Sequence, residues 1–192
     1  MKVVVIGATG TIGAATVARL ARTHQVAGTS RAGDPPADLS DPATLAAVLA
    51  GAPDAVVCTA AHAPLLPIGD VDERSAAEAA RAKLFGQLAL VARARDGLAN
   101  GGSITLTAGR FDEPLPGGSV GALVNAGLEA FVAAAAPELP RGIRLNVVSP
   151  GWVTETVERA GITGVRSTPA AAVAAAFAES VEGTATGRVF RP

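Results

Sequence analysis

Three glycines with the spacing G-x-x-G-x-x-G stand near the start of the chain, at Gly7, Gly10 and Gly13. The segment that precedes them, Lys2 to Ile6, contains a run of four apolar residues and is typical of a buried parallel strand. Apolar residues at helical spacing follow from Thr11 to Ala21. A glycine turn between a strand and a helix lets the backbone approach a pyrophosphate, which the first N–H groups of the helix can bind. The pattern therefore predicts a dinucleotide site; the alternative is a tight turn that binds no ligand.

The second predicted strand, Gln25 to Thr29, ends in Ser30 and Arg31. An acidic residue at this place would bind the ribose hydroxyls of NAD. Arg31 suits a 2′-phosphate instead, because guanidinium is planar, permanently charged and able to bind phosphate through two hydrogen bonds. The sequence favours NADP(H) over NAD(H), unless Arg31 is simply a solvated loop residue.

Proton transfer must use a group other than a phenol, because the chain contains no tyrosine. General acid–base catalysis needs a side chain within hydrogen-bond reach of the reacting atom. His62 would titrate near neutral pH, although a lone loop histidine is more often solvated. Two scattered histidines and one cysteine predict no metal site. The remaining candidates are Lys83, Thr107, Arg110, Asp112, Glu113 and Ser119.

The composition is that of one globular domain. The chain has 192 residues, of which 49% are hydrophobic, enough for a substantial core. A formal net charge of −1 and the lack of a basic stripe argue against a nucleic-acid partner. Cys58 is the only cysteine, which is typical of a reducing cytosol and excludes an internal disulfide. Neither a signal peptide nor a membrane span is evident, so we expect a cytoplasmic protein with no membrane partner.

Strand and helix patterns alternate along the whole chain, residues 1–192. They predict a single α/β domain of the Rossmann type, with a doubly wound parallel sheet in three α/β/α layers. A brief third strand near Ala37 and Asp38 is confined to a sheet edge by prolines. The later strands are Ala55 to Cys58, Ser103 to Thr107, Ile143 to Val148 and Gly187 to Phe190. The later helices are Pro42 to Leu49 with Asp41 as N-cap, Val71 to Asp96 capped by Asp70 or Asp72, Val120 to Ala136, and Pro169 to Glu179 capped by Thr168.

Short motifs in this order resemble the short-chain dehydrogenase/reductase family over nearly the whole chain. The resemblance rests on the order and spacing of the motifs together, because each motif is weak alone. The matching segments are Gly7 to Gly13, Asp38-Leu39, Thr59-Ala60-Ala61, Gly102 to Thr107, Asn125 to Leu128, Arg141 to Pro150 and Gly151 to Val153.

The resemblance implies specific cofactor contacts. Asp38 would bind the adenine amino group, with the backbone of Leu39 beside it, and the segment 59–61 would line the adenosine ribose. The segment 150–153 would border the nicotinamide, with the Val153 backbone at its carboxamide. Glu155 stands where the family usually places a threonine, four residues after the glycine.

The family's catalytic residues are replaced in this chain. Its Asn, Ser, Tyr and Lys align with Lys83, Ala108, Gly121 and Asn125, so that Lys and Asn look exchanged. In the family these two positions face each other across the nicotinamide ribose. Lys83 would then restore the ribose contact with Asn125 as its partner, because a buried ammonium needs oxygen partners. The alternative is that Lys83 extends into solvent from a helix surface.

The predicted catalytic residues are therefore Lys83, Asn125 and Thr107, the last of which adjoins Ala108. The predicted cofactor-binding residues are Gly7, Thr9, Gly10, Thr11, Ile12, Ser30, Arg31, Asp38, Leu39, Thr59, Ala60, Ala61, Lys83, Pro150, Gly151, Trp152 and Val153.

Three functions are compatible with a complete cofactor motif beside a replaced active site. The first is an atypical NADP(H)-dependent reductase of a small carbonyl or enone compound, because hydride chemistry belongs to the cofactor. The second is a non-redox enzyme on the same scaffold, such as an isomerase or dehydratase. The third is an NADP(H)-binding sensor or partner protein without catalysis. Relatives assemble through two long helices and the last strand, so we also expect a homodimer or homotetramer.

Overall fold

A parallel sheet of six strands forms the centre of the computed structural model, which describes residues 1–41, 43–60 and 65–192. The strand order is β2-β1-β3-β4-β5-β8, and every neighbouring pair is parallel. Two shorter strands, β6 and β7, pair with each other outside this sheet. The bounds are β1 Lys2–Ile6, β2 Gln25–Thr29, β3 Ala55–Cys58, β4 Ser103–Thr107, β5 Arg144–Val148, β6 Trp152–Val153, β7 Ser167–Thr168 and β8 Val189–Phe190.

The described residues form seven α-helices, of which α1, α2, α4, α5 and α7 cover the two faces of the sheet. Alternate residues of β1 point to opposite faces: Val4 and Ile6 join a core with α2, α4 and α5, whereas Val3 and Val5 join a core with α1 and α7. The helix bounds are α1 Thr11–Leu20, α2 Thr44–Leu49, α3 Glu73–Ala80, α4 Gly86–Gly97, α5 Ser119–Ala135, α6 Thr154–Arg159 and α7 Ala170–Glu182. The predicted three-layer α/β/α Rossmann-type domain is confirmed.

The predicted third strand near Ala37 and Asp38 was wrong. Instead, the Ala37 N–H donates to the carbonyl of Ser30, and Asp38 forms one isolated bridge with Asp41. Two prolines precede this segment and remove backbone donors, and Asp38 uses its side chain to hold Ser40 in a local turn. The sheet of the described residues therefore ends at β2 on this side.

Two predicted helix caps were also wrong. Helix α2 has Ala43 as its N-cap, while the Asp41 carboxylate accepts the Ala43 N–H at 3.1 Å; Pro42 lies outside the described residues. Helix α7 begins after Pro169, and Thr168 belongs to β7. The first N–H of α7, on Ala170, is instead bound by the carboxylate of Glu155.

The predicted helix from Val71 to Asp96 is divided by one wide turn. Asp72 caps α3 in a capping box with Ser75, which confirms one of the two expected caps. Between α3 and α4 lies a π-helical turn, Arg81–Phe85, whose hydrogen bonds span five residues. Such a turn rotates the side chains that follow relative to an uninterrupted α-helix, and π-turns of this kind often occur at functional sites.

One helical stretch of the described residues, Ser119–Glu138, is long and apolar enough to cross a membrane by length and composition alone. Its residues Val124, Leu128 and Val132 are buried within this fold, two of them in the core against the sheet. This is the behaviour of a core helix, and it gives no clear sign of a membrane protein.

Candidate functional site

The carboxyl ends of the parallel strands meet at one edge of the sheet, and the glycine turn lies there. Gly7 has a φ of +88°, and a Cβ at this residue would lie 2.6 Å from the backbone nitrogen of Ala60. A Cβ on Gly13 would lie 2.0 Å from the carbonyl oxygen of Gly7. Both glycines are therefore required sterically, because the turn packs against β3 and α1 starts against the turn. Gly10, the N-cap of α1, carries no side-chain cap and leaves the helix N-terminus open.

A pocket of about 400 Å³ opens beside this turn. It collects predicted cofactor residues from the ends of β1, β2 and β3, although they are far apart in the sequence. Two residues that line it, Ala37 and Ser40, were missed by the sequence analysis. The lining residues are Gly7, Thr9, Gly10, Ser30, Arg31, Ala37, Asp38, Leu39, Ser40 and Ala60.

Other predicted cofactor residues lie around this pocket rather than in its wall. Thr59 uses both its backbone N–H and its hydroxyl to donate to the Ile6 carbonyl, at 2.8 and 3.0 Å, so it joins β3 to β1. Thr11 and Ile12 form the first turn of α1. Ala61, together with the proton-transfer candidate His62, lies outside the described residues.

Asp38 is held as a carboxylate at the rim of the pocket. Its Oδ1 accepts hydrogen bonds from the Ser40 hydroxyl at 2.7 Å and from the Ser40 N–H at 2.9 Å. These bonds, with a smaller contribution from the Arg31 charge, hold the pKa of Asp38 below its usual range. Ser40 thus positions the acceptor that the family resemblance assigns to adenine. The serine directly after Asp38-Leu39 was a local signal that could have identified this role.

Lys83 and Asn125 are in direct contact at the same edge of the sheet. The Lys83 Nζ donates to Asn125 Oδ1 at 2.7 Å and to the carbonyl oxygen of Ala108 at 2.9 Å. Lys83 is only 6% exposed, so the alternative of a lysine extending into solvent was wrong. Burial lowers the pKa of this ammonium to about 8, because its two protein partners are neutral oxygens.

Gln87, in α4, holds the backbone at Lys83 against the end of β4. It is fully buried, and its Nε2 donates to the Lys83 carbonyl at 3.2 Å, where the wide turn disturbs the ordinary helical bonding. The same amide exchanges two hydrogen bonds with the backbone of Thr107, at 2.8 and 2.9 Å. Gln87 therefore joins α4 to the end of β4. The sequence analysis missed it, although a single glutamine in an otherwise apolar stretch of helix was a usable signal.

Thr107, predicted as a catalytic residue, has a structural contact instead. Its hydroxyl donates to the Cys58 carbonyl at 2.5 Å, and the residue is 2% exposed. Its Oγ1 is thus engaged between β3 and β4 and does not line the neighbouring cleft. The thiol of Cys58 is also buried, and burial raises its pKa to about 12, which excludes a reactive thiolate.

A second cleft, of about 570 Å³, lies beside Asn125, which is largely buried but lines it. The loop after β4 forms one wall, and α5 with Arg191 forms the other. The cations of this cleft are paired: Arg110 with Asp112, and Arg191 with Glu129. The lining residues are Gly109, Arg110, Phe111, Asp112, Glu113, Pro114, Leu115, Gly118, Ser119, Ala122, Asn125, Ala126, Glu129 and Arg191.

The segment predicted to border the nicotinamide packs against the residues of this cleft. The Pro150 carbonyl accepts the Arg110 N–H at 2.9 Å, and the Trp152 ring packs on Phe111 with 6.1 Å between ring centroids. Glu155, in place of the family's threonine, accepts the Ala170 N–H at 2.9 and 3.1 Å. Glu155 is thus the cap of α7 and holds the segment against that helix.

The titratable groups of the two pockets do not form a metal centre. Among residues 1–41, 43–60 and 65–192, no group of three or more His, Cys, Asp or Glu side chains could hold a metal ion.

The fold and the glycine turn define a dinucleotide-binding domain of the Rossmann class. A family model described as enoyl-(acyl carrier protein) reductase matches residues 2–186. The chain belongs to the short-chain dehydrogenase/reductase family, whose members are generally oxidoreductases that use a nicotinamide cofactor. The predicted resemblance is confirmed.

Solved structures agree with this assignment over the full chain. The protein lin1944 from Listeria innocua is 34% identical, with a TM-score of 0.94, and the match covers 100% of this chain and 98% of that one. A small-chain dehydrogenase in complex with NADPH is 28% identical, with a TM-score of 0.87, covering 100% and 96% of the two chains. A short-chain dehydrogenase/reductase from Serratia marcescens has the same fold, at 21% identity and a TM-score of 0.82, covering 100% and 94%. No curated protein matches the chain significantly.

Proposed function

We propose that this protein is an NADP(H)-dependent oxidoreductase that reduces a small carbonyl or enone compound, with Lys83 and Asn125 in place of the family's usual catalytic groups. The observation that carries the proposal is the buried Lys83–Asn125 pair, 2.7 Å apart, beside an open cleft that Asn125 lines. A buried ammonium without a carboxylate partner is costly, and this cost supports a functional contact at Lys83.

The described residues fit an NADP(H) molecule lying across the edge of the sheet. The turn at Gly7 and Gly13 brings the backbone and the open end of α1 to one place, as a pyrophosphate requires. Arg31 and Asp38 line the pocket at one end, with the charge and the acceptor that a 2′-phosphate and an adenine amino group would need. The related small-chain dehydrogenase in complex with NADPH supports this choice.

In the proposed reaction the protein binds, orients and supplies a proton, while the bound NADPH supplies the hydride. Asn125 lines the cleft, so its amide can donate a hydrogen bond to a carbonyl oxygen there. Lys83 holds a proton at Nζ with a pKa of about 8, and can return it through water to that oxygen. Without a phenol in contact with the substrate, we expect a rate about two to four orders of magnitude below that of a complete site.

A second candidate is an NADP(H)-binding sensor or partner protein without catalysis. The specific observation in its favour is that the positions aligned with the family's serine and tyrosine, Ala108 and Gly121, carry no polar side chain. The cofactor end, in contrast, keeps its glycines, Arg31 and Asp38. We further propose a cytoplasmic homo-oligomer with a small-molecule substrate or effector, and neither nucleic acid nor membrane as partner.

The first experiment is a titration with NADPH and NADH that follows the fluorescence of Trp152, the only tryptophan. Quenching by NADPH at micromolar concentration, weakened in Arg31→Ala, supports the cofactor assignment. A wild type that binds neither NADPH nor NADH would overturn both candidate functions, the reductase and the sensor.

Turnover then separates the two candidates. NADPH oxidation is measured with a panel of aldehydes, quinones and diketones, comparing wild type with Lys83→Met and with the control Lys2→Met. Lys2 is the only other lysine of the chain and lies exposed at the start of β1. Turnover that Lys83→Met abolishes and Lys2→Met preserves supports the reductase; tight NADPH binding without turnover favours the sensor.

A further inference from the structure

Arg159 lies at the opening of the glycine turn. Both terminal nitrogens of its guanidinium, Nη1 and Nη2, lie 3.3 Å from the hydroxyl oxygen of Thr11. Thr11 is the first residue of α1, and the two residues are separated by 148 positions in the sequence. The contact therefore depends on the fold, which brings the end of α6 next to the start of α1.

The helix that carries Arg159 is attached to the rest of the fold, and Arg159 itself is exposed. Glu155, four residues earlier in α6, is bound to the first N–H of α7. Val157 is 5% exposed and anchors α6 to the fold. Arg159 thus extends from a short helix that is attached at two points, and its reach toward α1 does not depend on a free loop.

The electrostatics of this contact are unfavourable without an anion. The N-terminus of a helix carries a partial positive charge, and a cation beside it is repelled. The first turn of α1 contains no acidic residue, and its N-cap Gly10 has no side chain to bind the free N–H groups. In the described part of the chain, Arg159 forms no ion pair with a carboxylate. Two positive groups therefore converge on one opening, with a neutral hydroxyl between them.

We infer that Arg159 is a pyrophosphate ligand: it binds the phosphates of the cofactor from the side opposite the glycine turn. This inference rests on the proposed NADP(H) binding and extends it, because it gives the two arginines of the site separate tasks. Arg31 would bind the 2′-phosphate at the end of β2, and Arg159 the pyrophosphate at the start of α1. Two of the five guanidinium donors of Arg159 suffice for Thr11, and the others remain for phosphate oxygens.

The test is a matrix of variants and ligands measured by isothermal titration calorimetry. The ligands are NADPH, NADH and adenosine 2′-monophosphate, which has the 2′-phosphate and no pyrophosphate. Arg159→Ala should weaken NADPH and NADH by at least about tenfold each and leave adenosine 2′-monophosphate unchanged, because a hydrogen bond to a charged group is lost. Arg31→Ala should weaken NADPH and adenosine 2′-monophosphate and leave NADH unchanged.

Matched variants separate the local effect from a general loss of charge. Arg22→Ala removes an exposed arginine just beyond the other end of α1 and should change no affinity. Arg159→Lys keeps the charge without the planar fork and should give an intermediate loss for both dinucleotides. Thermal unfolding without ligand should show Arg159→Ala at least as stable as the wild type, because a repulsion has been removed.

Two results would overturn the inference, and they are distinguishable. If the wild type binds NADPH and Arg159→Ala binds it equally well, the role of Arg159 is refuted while the proposed function stands. If Arg159→Ala weakens all three ligands alike, Arg159 acts on the fold and not on the pyrophosphate. A wild type that binds no dinucleotide would refute the proposed function and, with it, this role.

Discussion

The ammonium of Lys83 and the side-chain oxygen of Asn125 are 2.7 Å apart, although the residues are 42 positions apart in the sequence. The wide turn between α3 and α4 presents Lys83, and the buried side of α5 presents Asn125. No carboxylate takes part in this contact: the second acceptor is the backbone carbonyl of Ala108. The pair is therefore a buried positive charge stabilised by neutral dipoles, and its titration can be measured.

The first prediction concerns the pH dependence of stability. Burial lowers the pKa of Lys83 from 10.5 to about 8, so between these values the unfolded chain binds more protons than the folded one. Stability then increases with pH over this interval, and the cost of the buried charge is fully present below about pH 8. The difference in pKa corresponds to at most about 3 kcal/mol. Denaturant unfolding of wild type and Lys83→Met from pH 7 to 10 should show the wild type gaining stability relative to the variant.

The control is Lys2→Met, which removes the exposed lysine and should show no such gain relative to wild type. If the free energies of unfolding of the wild type and Lys83→Met change with pH in parallel, the pKa of Lys83 is not lowered in the folded protein.

The second prediction changes the partner of the ammonium. Asn125→Asp places a carboxylate within hydrogen-bond reach of Lys83 Nζ, and an opposite charge raises the pKa of a lysine. The rise in stability with pH should therefore move to higher pH in Asn125→Asp than in wild type, whereas Asn125→Leu should not move it upward. The measurement is the same unfolding series, and an unchanged profile in Asn125→Asp would contradict the contact.

The third prediction separates the two roles of the glycines in the turn. Gly13→Ala would place a Cβ 2.0 Å from the Gly7 carbonyl oxygen and should lower the free energy of unfolding by about 1–3 kcal/mol. A Cβ on Gly10 would lie 3.4 Å from the same oxygen, an ordinary contact. The free energy of unfolding of Gly10→Ala should therefore stay within about 1 kcal/mol of that of the wild type. If the pyrophosphate lies against Gly10, this variant should nevertheless bind NADPH at least about tenfold more weakly, measured by Trp152 fluorescence. Full NADPH affinity in Gly10→Ala would place the phosphates elsewhere.

Much of the fold was predictable because its central strands are buried on both faces. The bounds of β1, β2, β3 and β4 agree with the sequence prediction. For β1 and β3 the reason is that continuous buried apolar runs between turn residues have few alternatives. The edge near Ala37 could not be predicted in the same way, because a side-chain turn at Asp38 competes there with sheet pairing.

The residues of the candidate site also differ in how far the sequence could predict them. The Lys83–Asn125 contact could be predicted because both residues occupy helical positions whose facing was implied by the family resemblance. For Thr107, predicted as catalytic, the sequence does not show that Gln87 and the Cys58 carbonyl engage the end of β4. Arg159 has no local pattern at all: its partner Thr11 belongs to the other end of the chain.

The fourth prediction concerns the cap of α7. The Glu155 carboxylate accepts the Ala170 N–H, so Glu155→Ala should lower the free energy of unfolding by about 1 kcal/mol, as loss of an N-cap does. Glu155→Gln keeps an acceptor oxygen and should lose less. Because the same residue anchors α6, Glu155→Ala should also weaken NADPH binding through displacement of Arg159. Equal stability of Glu155→Ala and wild type in denaturant unfolding would show that the contact does not act as a cap.

The last prediction concerns self-association through the helices around Lys83. Phe85 is 54% exposed and Leu123 is 70% exposed, and they belong to neighbouring elements that contact each other, the wide turn and α5. Exposed apolar side chains on adjacent helices are typical of an interface between copies of one chain. Light scattering of the wild type should therefore give a multiple of the 18.9 kDa chain mass, and Leu123→Glu should shift it toward the monomer.

The matched control is Ile68→Glu, which changes an apolar residue of 76% exposure outside these two elements and should leave the mass unchanged. A wild-type mass of a single chain at all concentrations would exclude the homo-oligomer. A multiple mass that Leu123→Glu leaves intact would place the interface on another face. Because Asn125 lies on the same helix as Leu123, a dissociating variant also tests whether assembly holds α5, and with it the Lys83–Asn125 pair, in place. If assembly does so, Leu123→Glu should weaken NADPH binding as it lowers the mass, whereas Ile68→Glu should change neither.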